Sequence, residues 1–201
     1  MDYSRVDARS PLRRLYASPD LLALVRGIVG PDDPLFPSQC PISCAYYNVF
    51  SERHGLDWHF DNSEFGVNLV LQAAQGPGPS AGGEFEFHHN TRSEAEPWAF
   101  GRVEELLESG CPSSLPGVAR AEGLGAGSLV VFSGRHSLHR VTPVLPGATA
   151  PRINVIFTFE KELSGMNSEY SLKKFFGRTE EDRQKALSEQ ATAAALPDSK
   201  L

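Results

Sequence analysis

The stretch Arg152-Ile-Asn-Val-Ile-Phe-Thr-Phe159 constrains the chain more than any other. Successive side chains of a strand point to opposite faces, so this stretch divides into two sets. Ile153, Val155, Phe157 and Phe159 form an apolar face, and Arg152, Asn154, Ile156 and Thr158 form a mixed one headed by a guanidinium. The apolar face requires a cover, for which a helix is the natural candidate, and the strand itself requires hydrogen-bonding neighbours. Six further segments, 44–50, 56–61, 65–72, 84–89, 127–132 and 137–144, are rich in aromatic and β-branched residues or alternate with period two. About seven strands, mostly separated by turns, predict a mainly β fold with flanking helices, a sandwich or barrel of the jelly-roll kind.

Helices are expected at the ends. Ser10-Pro11 and Ser18-Pro19-Asp20 each place a capping hydroxyl before a proline suited to the first helical turn, and Gly30-Pro31 stops the run of leucines and valines that follows. Thr179-Glu-Glu-Asp182 resembles a capping box and heads an alanine-rich helix to about Ala195. One domain over residues 1–201 is therefore expected: helical support at 1–43, a jelly-roll core at 44–160 and a helical tail at 161–201. The core is interrupted by an insertion at 90–127, with a short helix candidate at 102–109. That insertion is either a lid over a site or a tolerated excursion.

The net charge of -6 and the absence of a basic stripe argue against nucleic acid as a partner. No stretch approaches the roughly 20 apolar residues of a membrane span. Cys40, Cys44 and Cys111 are odd in number and lack zinc-ribbon spacing, so they read as reduced thiols of an intracellular, cytoplasmic protein.

The stretch His59-Phe-Asp61 carries the candidate chemistry. On one strand, His and Asp two apart face the same way, and His139, on a distant strand, would complete a two-histidine, one-carboxylate set. Such a set leaves coordination positions open and suits non-haem Fe(II). The spacing alone also arises by chance. The apolar flanks Trp58, Phe60 and Phe65 strengthen the metal reading, because polar groups entering such surroundings need a partner. Arg152 would likewise need a partner if it points inward: an incoming carboxylate gripped by two hydrogen bonds, or a structural ion pair. Arg135 binds a substrate carboxylate or caps a turn; Glu84 and Glu86 meet a substrate ammonium or face water. Tyr47 or Asn48 could hydrogen-bond a co-substrate.

Together, His59-Phe-Asp61, His139-Arg-Val141 and Arg152 resemble the Fe(II)- and 2-oxoglutarate-dependent dioxygenases over residues 44–160. Trp58 to Phe65, Gly82 to Phe87, Gly134 to Pro143 and Pro151 to Asn154 are similar to the branch of small free-amino-acid hydroxylases and their halogenating relatives. The resemblance implies a double-stranded β-helix, Fe(II) on His59, Asp61 and His139, and 2-oxoglutarate on Arg152, assisted by Asn48 and Asn154, with O2 as the oxidant. It implies hydroxylation of an unactivated C–H bond of a small polar substrate, such as an amino acid met by Arg135, Glu86 and Trp58, with succinate and CO2 as co-products. The carboxylate of Asp61 disfavours halogenation. A protein hydroxylase and a non-catalytic ligand-binding module remain alternatives.

Overall fold

In the computed structural model, which describes residues 1–78, 80–110 and 117–195, the 152–159 stretch is the spine of the larger of two antiparallel sheets. It forms β9 (Arg152–Glu160), flanked on one side by β1 (Phe36–Pro37) and β2 (Ala45–Phe50). On the other side lies β4 (Phe65–Gln72), which also pairs with β7 (Leu129–Phe132). The smaller sheet runs β3 (Leu56–His59), β8 (Leu138–Val141), β5 (Phe85–His88), β6 (Val118–Ala121).

The apolar face of β9 is covered as its sequence requires. Phe157 and Phe159 are fully buried, in one cluster with Val155, Leu12, Tyr16, Leu21 and Val25 from helices α1 (Pro11–Tyr16) and α2 (Pro19–Val29). Burial of each such phenylalanine stabilises the fold by about 1.5–3 kcal/mol. Tyr16 stacks on Phe157 at 5.8 Å and donates its hydroxyl proton to the Thr158 carbonyl at 2.8 Å, so an aromatic body and a polar tip are both satisfied. Both helices begin at the expected serines: Ser10 accepts from the Arg13 amide and Ser18 from the Asp20 amide. The opposite face of β9 looks toward the smaller sheet, and between them lies a second cluster of Phe50, Phe85, Val141 and Val144, joined by Val130 and Phe132.

Two expectations change. The 90–127 insertion, read as irregular beyond its helix candidate, contributes β6, which extends the smaller sheet through four register pairs with β5. Its helix α3 (Phe100–Glu108) packs Leu106 against Leu138, Trp58 and Phe60 on the outside of that sheet. The helix is readable as a short segment closed by Gly110, but the short strand has too little apolar periodicity to read. The tail at 161–201 is more than a terminal helix. A turn of helix α4 (Glu169–Ser171) continues into a π-helical turn, Leu172–Phe176, before α5 (Glu180–Ala195). Thr179 and Asp182 form the reciprocal cap at the start of α5.

Cys40 and Cys44 are buried free thiols; Cys111 lies outside the described residues. Among the described residues no helix is long and apolar enough to cross a membrane.

Candidate metal centre

His59 and His139 are directly opposed across the β3–β8 pair, with ring centroids 4.2 Å apart. Strand pairing thus brings together two imidazoles eighty positions apart. Asp61 lies just past the end of β3, so its placement does not come from strand alternation as the spacing suggested. The Asp61 amide donates to the Gly134 carbonyl at 3.0 Å, and a Cβ on Gly134 would lie 2.8 Å from the Asp61 Cβ and 2.9 Å from its Cγ. Glycine at 134 therefore lets the chain after β7 close over the carboxylate. The result is three donors whose ligating atoms lie within 4.8 Å of one another, with the Nε2 atoms of His59 and His139 each 3.6 Å from a different Asp61 oxygen.

The protonation states suit a cation. His59 Nδ1 lies 2.7 Å from the Asp57 carbonyl and His139 Nδ1 2.8 Å from the Ser137 carbonyl. A proton on each Nδ1 leaves both Nε2 lone pairs facing the centre. Burial, reinforced by His139, pushes the His59 pKa down to about 4, which keeps that imidazole neutral at neutral pH. Burial also opposes charge on His139 and on Asp61, but their mutual attraction outweighs it. The His139 pKa is raised and the Asp61 carboxyl is held below its ordinary value. A divalent ion at this point would replace that proton-mediated attraction. Two imidazoles and one carboxylate from two chain segments form the donor set associated with first-row transition ions that keep open positions.

Aromatic rings enclose the centre. Phe132 meets His139 edge-on at 5.0 Å, Phe85 lies 5.7 Å from it, and Phe175 lies 5.5 Å from His59. Phe132 can lie against the sheet because Gly66 leaves the room: a Cβ there would fall 2.7 Å from its Cε1.

A cavity of about 380 Å³ reaches His59 and Asp61 and is walled by Tyr46, Asn48, Phe50 and Leu56 on one side and Phe175 and Phe176 on the other. Tyr46, Asn48 and Phe50 register with Ile156, Asn154 and Arg152, so they share the inner face of the larger sheet. The wall at 175–176 comes from the tail, and none of the described residues of the 90–127 insertion lines this cavity. Asn62, next to Asp61, fastens this wall: its amide lies within hydrogen-bond distance of Asn167, Ser168 and Ser171 side-chain oxygens, at 2.6, 2.9 and 2.9 Å.

Arg152 is 3% exposed, and among the described residues no carboxylate forms an ion pair with it. Its Nη1 donates to Asn154 Oδ1 at 3.0 Å, and Asn154 Nδ2 donates to Asn68 Oδ1 at 2.8 Å. Desolvation pulls its pKa down to about 10. Its atoms line a neighbouring cavity of about 330 Å³ with Gly83, Phe85 and Leu124, while its register partner Phe50 lines the cavity of the metal centre.

Three expected substrate residues are placed otherwise. Trp58 faces away from His59 and packs with Leu106 and Leu138 outside the smaller sheet, its indole N–H buried with no acceptor among the described residues. Glu86 is fully buried and held by Arg120 at 2.8 Å and Arg140 at 2.7 Å, so its charge is already compensated inside the protein. Arg135 is engaged by Glu64 at 3.1 Å, by Glu160 at 3.6 Å and by the Asn62 carbonyl. His136, three positions from His139, turns instead to Ser133 and Glu64. Tyr46, Glu160 and the 167–176 wall were not anticipated. Tyr46 alternates with the core residue Ala45, a signal that could have pointed to it; nothing local distinguishes Glu160 from a solvated strand end.

No protein-family model matches the chain, and no curated protein does. Solved structures do share its fold. AviO1 from Streptomyces viridochromogenes Tue57 aligns with 83% of this chain and 68% of its own, at 17% identity and a TM-score of 0.56. HygX from Streptomyces hygroscopicus, with nickel and 2-oxoglutarate bound, aligns with 80% and 69% at 19% identity and 0.54. EctD from S. alaskensis, with 2-oxoglutarate and 5-hydroxyectoine, aligns with 80% and 56% at 17% identity and 0.52. A 2OG-Fe(II) oxygenase family oxidoreductase from Burkholderia pseudomallei is matched over 58% of its length. The chain thus shares the double-stranded β-helix fold of AviO1, HygX and EctD, and spans 56% of EctD's length.

Proposed function

We propose that this chain is an Fe(II)- and 2-oxoglutarate-dependent dioxygenase that hydroxylates an unactivated C–H bond of a small polar molecule, with free amino acids the first class to test. The observation that carries the reading is the convergence of His59, Asp61 and His139 on one point, together with a deeply buried guanidinium on the inner face of β9 that no carboxylate of the described residues neutralises. The likeness of fold to HygX and EctD supports it.

His59, Asp61 and His139 would hold Fe(II). Arg152 would receive the distal carboxylate of 2-oxoglutarate through charge-assisted hydrogen bonds, which in a desolvated setting are worth more than at the surface. Asn154 and Asn68 fix the guanidinium in place for that contact. Asn48, on the inner face beside Asn154, lines the cavity of the metal centre, and its amide, which bonds to no other described side chain, would meet the co-substrate. The bound metal with 2-oxoglutarate and O2 would supply the oxidising power, giving succinate and CO2 as co-products. The rings of Phe85, Phe132 and Phe175 pack against the imidazoles and keep them in their orientation.

The test is succinate formation from 2-oxoglutarate under air, with added Fe(II) and ascorbate, across a panel of amino acids and other small polar compounds. Turnover is expected from the native chain and is expected to vanish in His59→Ala and Asp61→Ala. Undiminished turnover in either variant would overturn the assignment.

A further inference from the structure

The inner face of β9 begins at Arg152 and ends at Glu160, eight residues and about 26 Å further along an extended strand. The cavity of the metal centre reaches this far end, where Ser38, Ser43, Thr158, Glu160 and Ser171 line it. A neutral molecule would not require a carboxylate here, yet Glu160 is placed where burial penalises its charge. Its side chain is 6% exposed. Its Oε2 accepts from the Glu64 amide at 3.2 Å and stands 3.6 Å from Arg135 Nη2. That arginine is committed more closely to Glu64, at 3.1 Å, and Glu64 also draws Lys161 and His136. The cations of this corner thus gather on Glu64, and Glu160 is left under-compensated. Burial and the neighbouring Glu64 charge push its pKa up to about 7, against the opposing pull of the Glu64 amide, Arg135 and Ser38.

A second observation points the same way. Ser43 lines the same cavity, and its hydroxyl, which takes no hydrogen bond from the described residues, is open to it: the only fully buried side-chain polar atom without a partner among them is Trp58 Nε1. Thr158 differs, since its hydroxyl donates to the carbonyls of Ser43 and Cys44.

We infer that Glu160 and Ser43 form the recognition end of the pocket for a small molecule bearing a protonated amine, which Glu160 pairs with and Ser43 hydrogen-bonds. This rests on the oxygenase reading only for what happens to the molecule, because the subsite consists of protein atoms alone. The strand then has one anchor for an anion and one for a cation, at its two ends.

The experiment is saturation-transfer NMR on the whole chain with a panel of amino alcohols, amino sugars, diamines and amino acids, each paired with its N-acetyl form. It is run on metal-free protein and on protein loaded with Zn(II) and 2-oxoglutarate. Amines are expected to bind and their acetylated partners not to. Glu160→Gln is expected to weaken the amine at least about tenfold, and Ser43→Ala about three- to tenfold, with melting temperatures reporting that each variant is folded. Absence of amine binding, equal binding of the acetylated forms, or full affinity in both folded variants would overturn the inference. Failure of Zn(II) and 2-oxoglutarate to bind would instead count against the oxygenase reading and leave the amine result standing.

Discussion

Replacement of Arg152 by methionine should stabilise the protein while abolishing its affinity for 2-oxoglutarate. The guanidinium is 3% exposed and bonded to the Asn154 side chain, with no anion from the described residues beside it. Desolvation lowers its pKa from the ordinary guanidinium range to about 10. Below pH 10 both the folded and the unfolded chain carry the charge, so the folded state bears the whole difference at neutral pH. At 1.36 kcal/mol per pKa unit this amounts to roughly 3 kcal/mol. Methionine fills similar space without charge but leaves the Asn154 oxygen short of a donor, a loss of about 1 kcal/mol. The net expectation is a gain of about 2 kcal/mol, or roughly 4–8 °C in melting temperature for a chain of this size. Thermal melts in the presence of Zn(II), with and without 2-oxoglutarate, separate the two effects. The native chain should be stabilised by the keto acid, and the variant should start higher and show no such shift, while both respond to Zn(II). A variant that melts lower than the native chain, or still responds to 2-oxoglutarate, would refute the argument that this arginine is held charged for a ligand.

Other perturbations give separate readouts. Gly134→Ala would press a methyl against Asp61, so Zn(II) affinity measured by calorimetry should drop about tenfold or more, while stability falls by about 1–3 kcal/mol. The pH dependence of stability should carry the signature of Glu160. Its folded pKa of about 7 lies above the unfolded 4.5, so the unfolded chain ionises first. This contribution is fully present below pH 4.5 and is lost as pH rises toward 7, by at most about 3 kcal/mol; in Glu160→Gln, denaturant titrations over that range should lack the decline. Trp58→Phe should cost less than about 1 kcal/mol in the same assay, since it removes the buried N–H that has no acceptor among the described residues along with the apolar area.

The parts of the fold readable in the sequence are those set by local periodicity. The alternation in 152–159 specified which side chains meet the helices, and the Ser-Pro pairs specified where those helices start. His59 and His139 could be paired in advance because each lies on a strand of the smaller sheet. What escaped depends on contacts between distant segments. Glu86 alternates with two phenylalanines as a solvent-facing residue would, but the arginines at 120 and 140 cover it completely. Trp58 adjoins a metal-binding histidine in sequence, and that adjacency sends it to the opposite face. The wall at 167–176 is held by Asn62 across more than a hundred residues, a contact that no periodicity announces. The four-residue strand β6 has one valine and two alanines, too little apolar pattern to mark it out.

The central claim is that one ferrous ion binds between β3 and β8 with 2-oxoglutarate beside it. An anomalous-difference map at the iron edge, from crystals grown without oxygen in the presence of Fe(II) and 2-oxoglutarate, tests it directly. A single strong peak is expected, bonded to Nε2 of His59, Nε2 of His139 and a carboxylate oxygen of Asp61, with the keto acid extending from it to Arg152. A peak at any other cluster, or a keto acid that leaves Arg152 without a carboxylate, would contradict it.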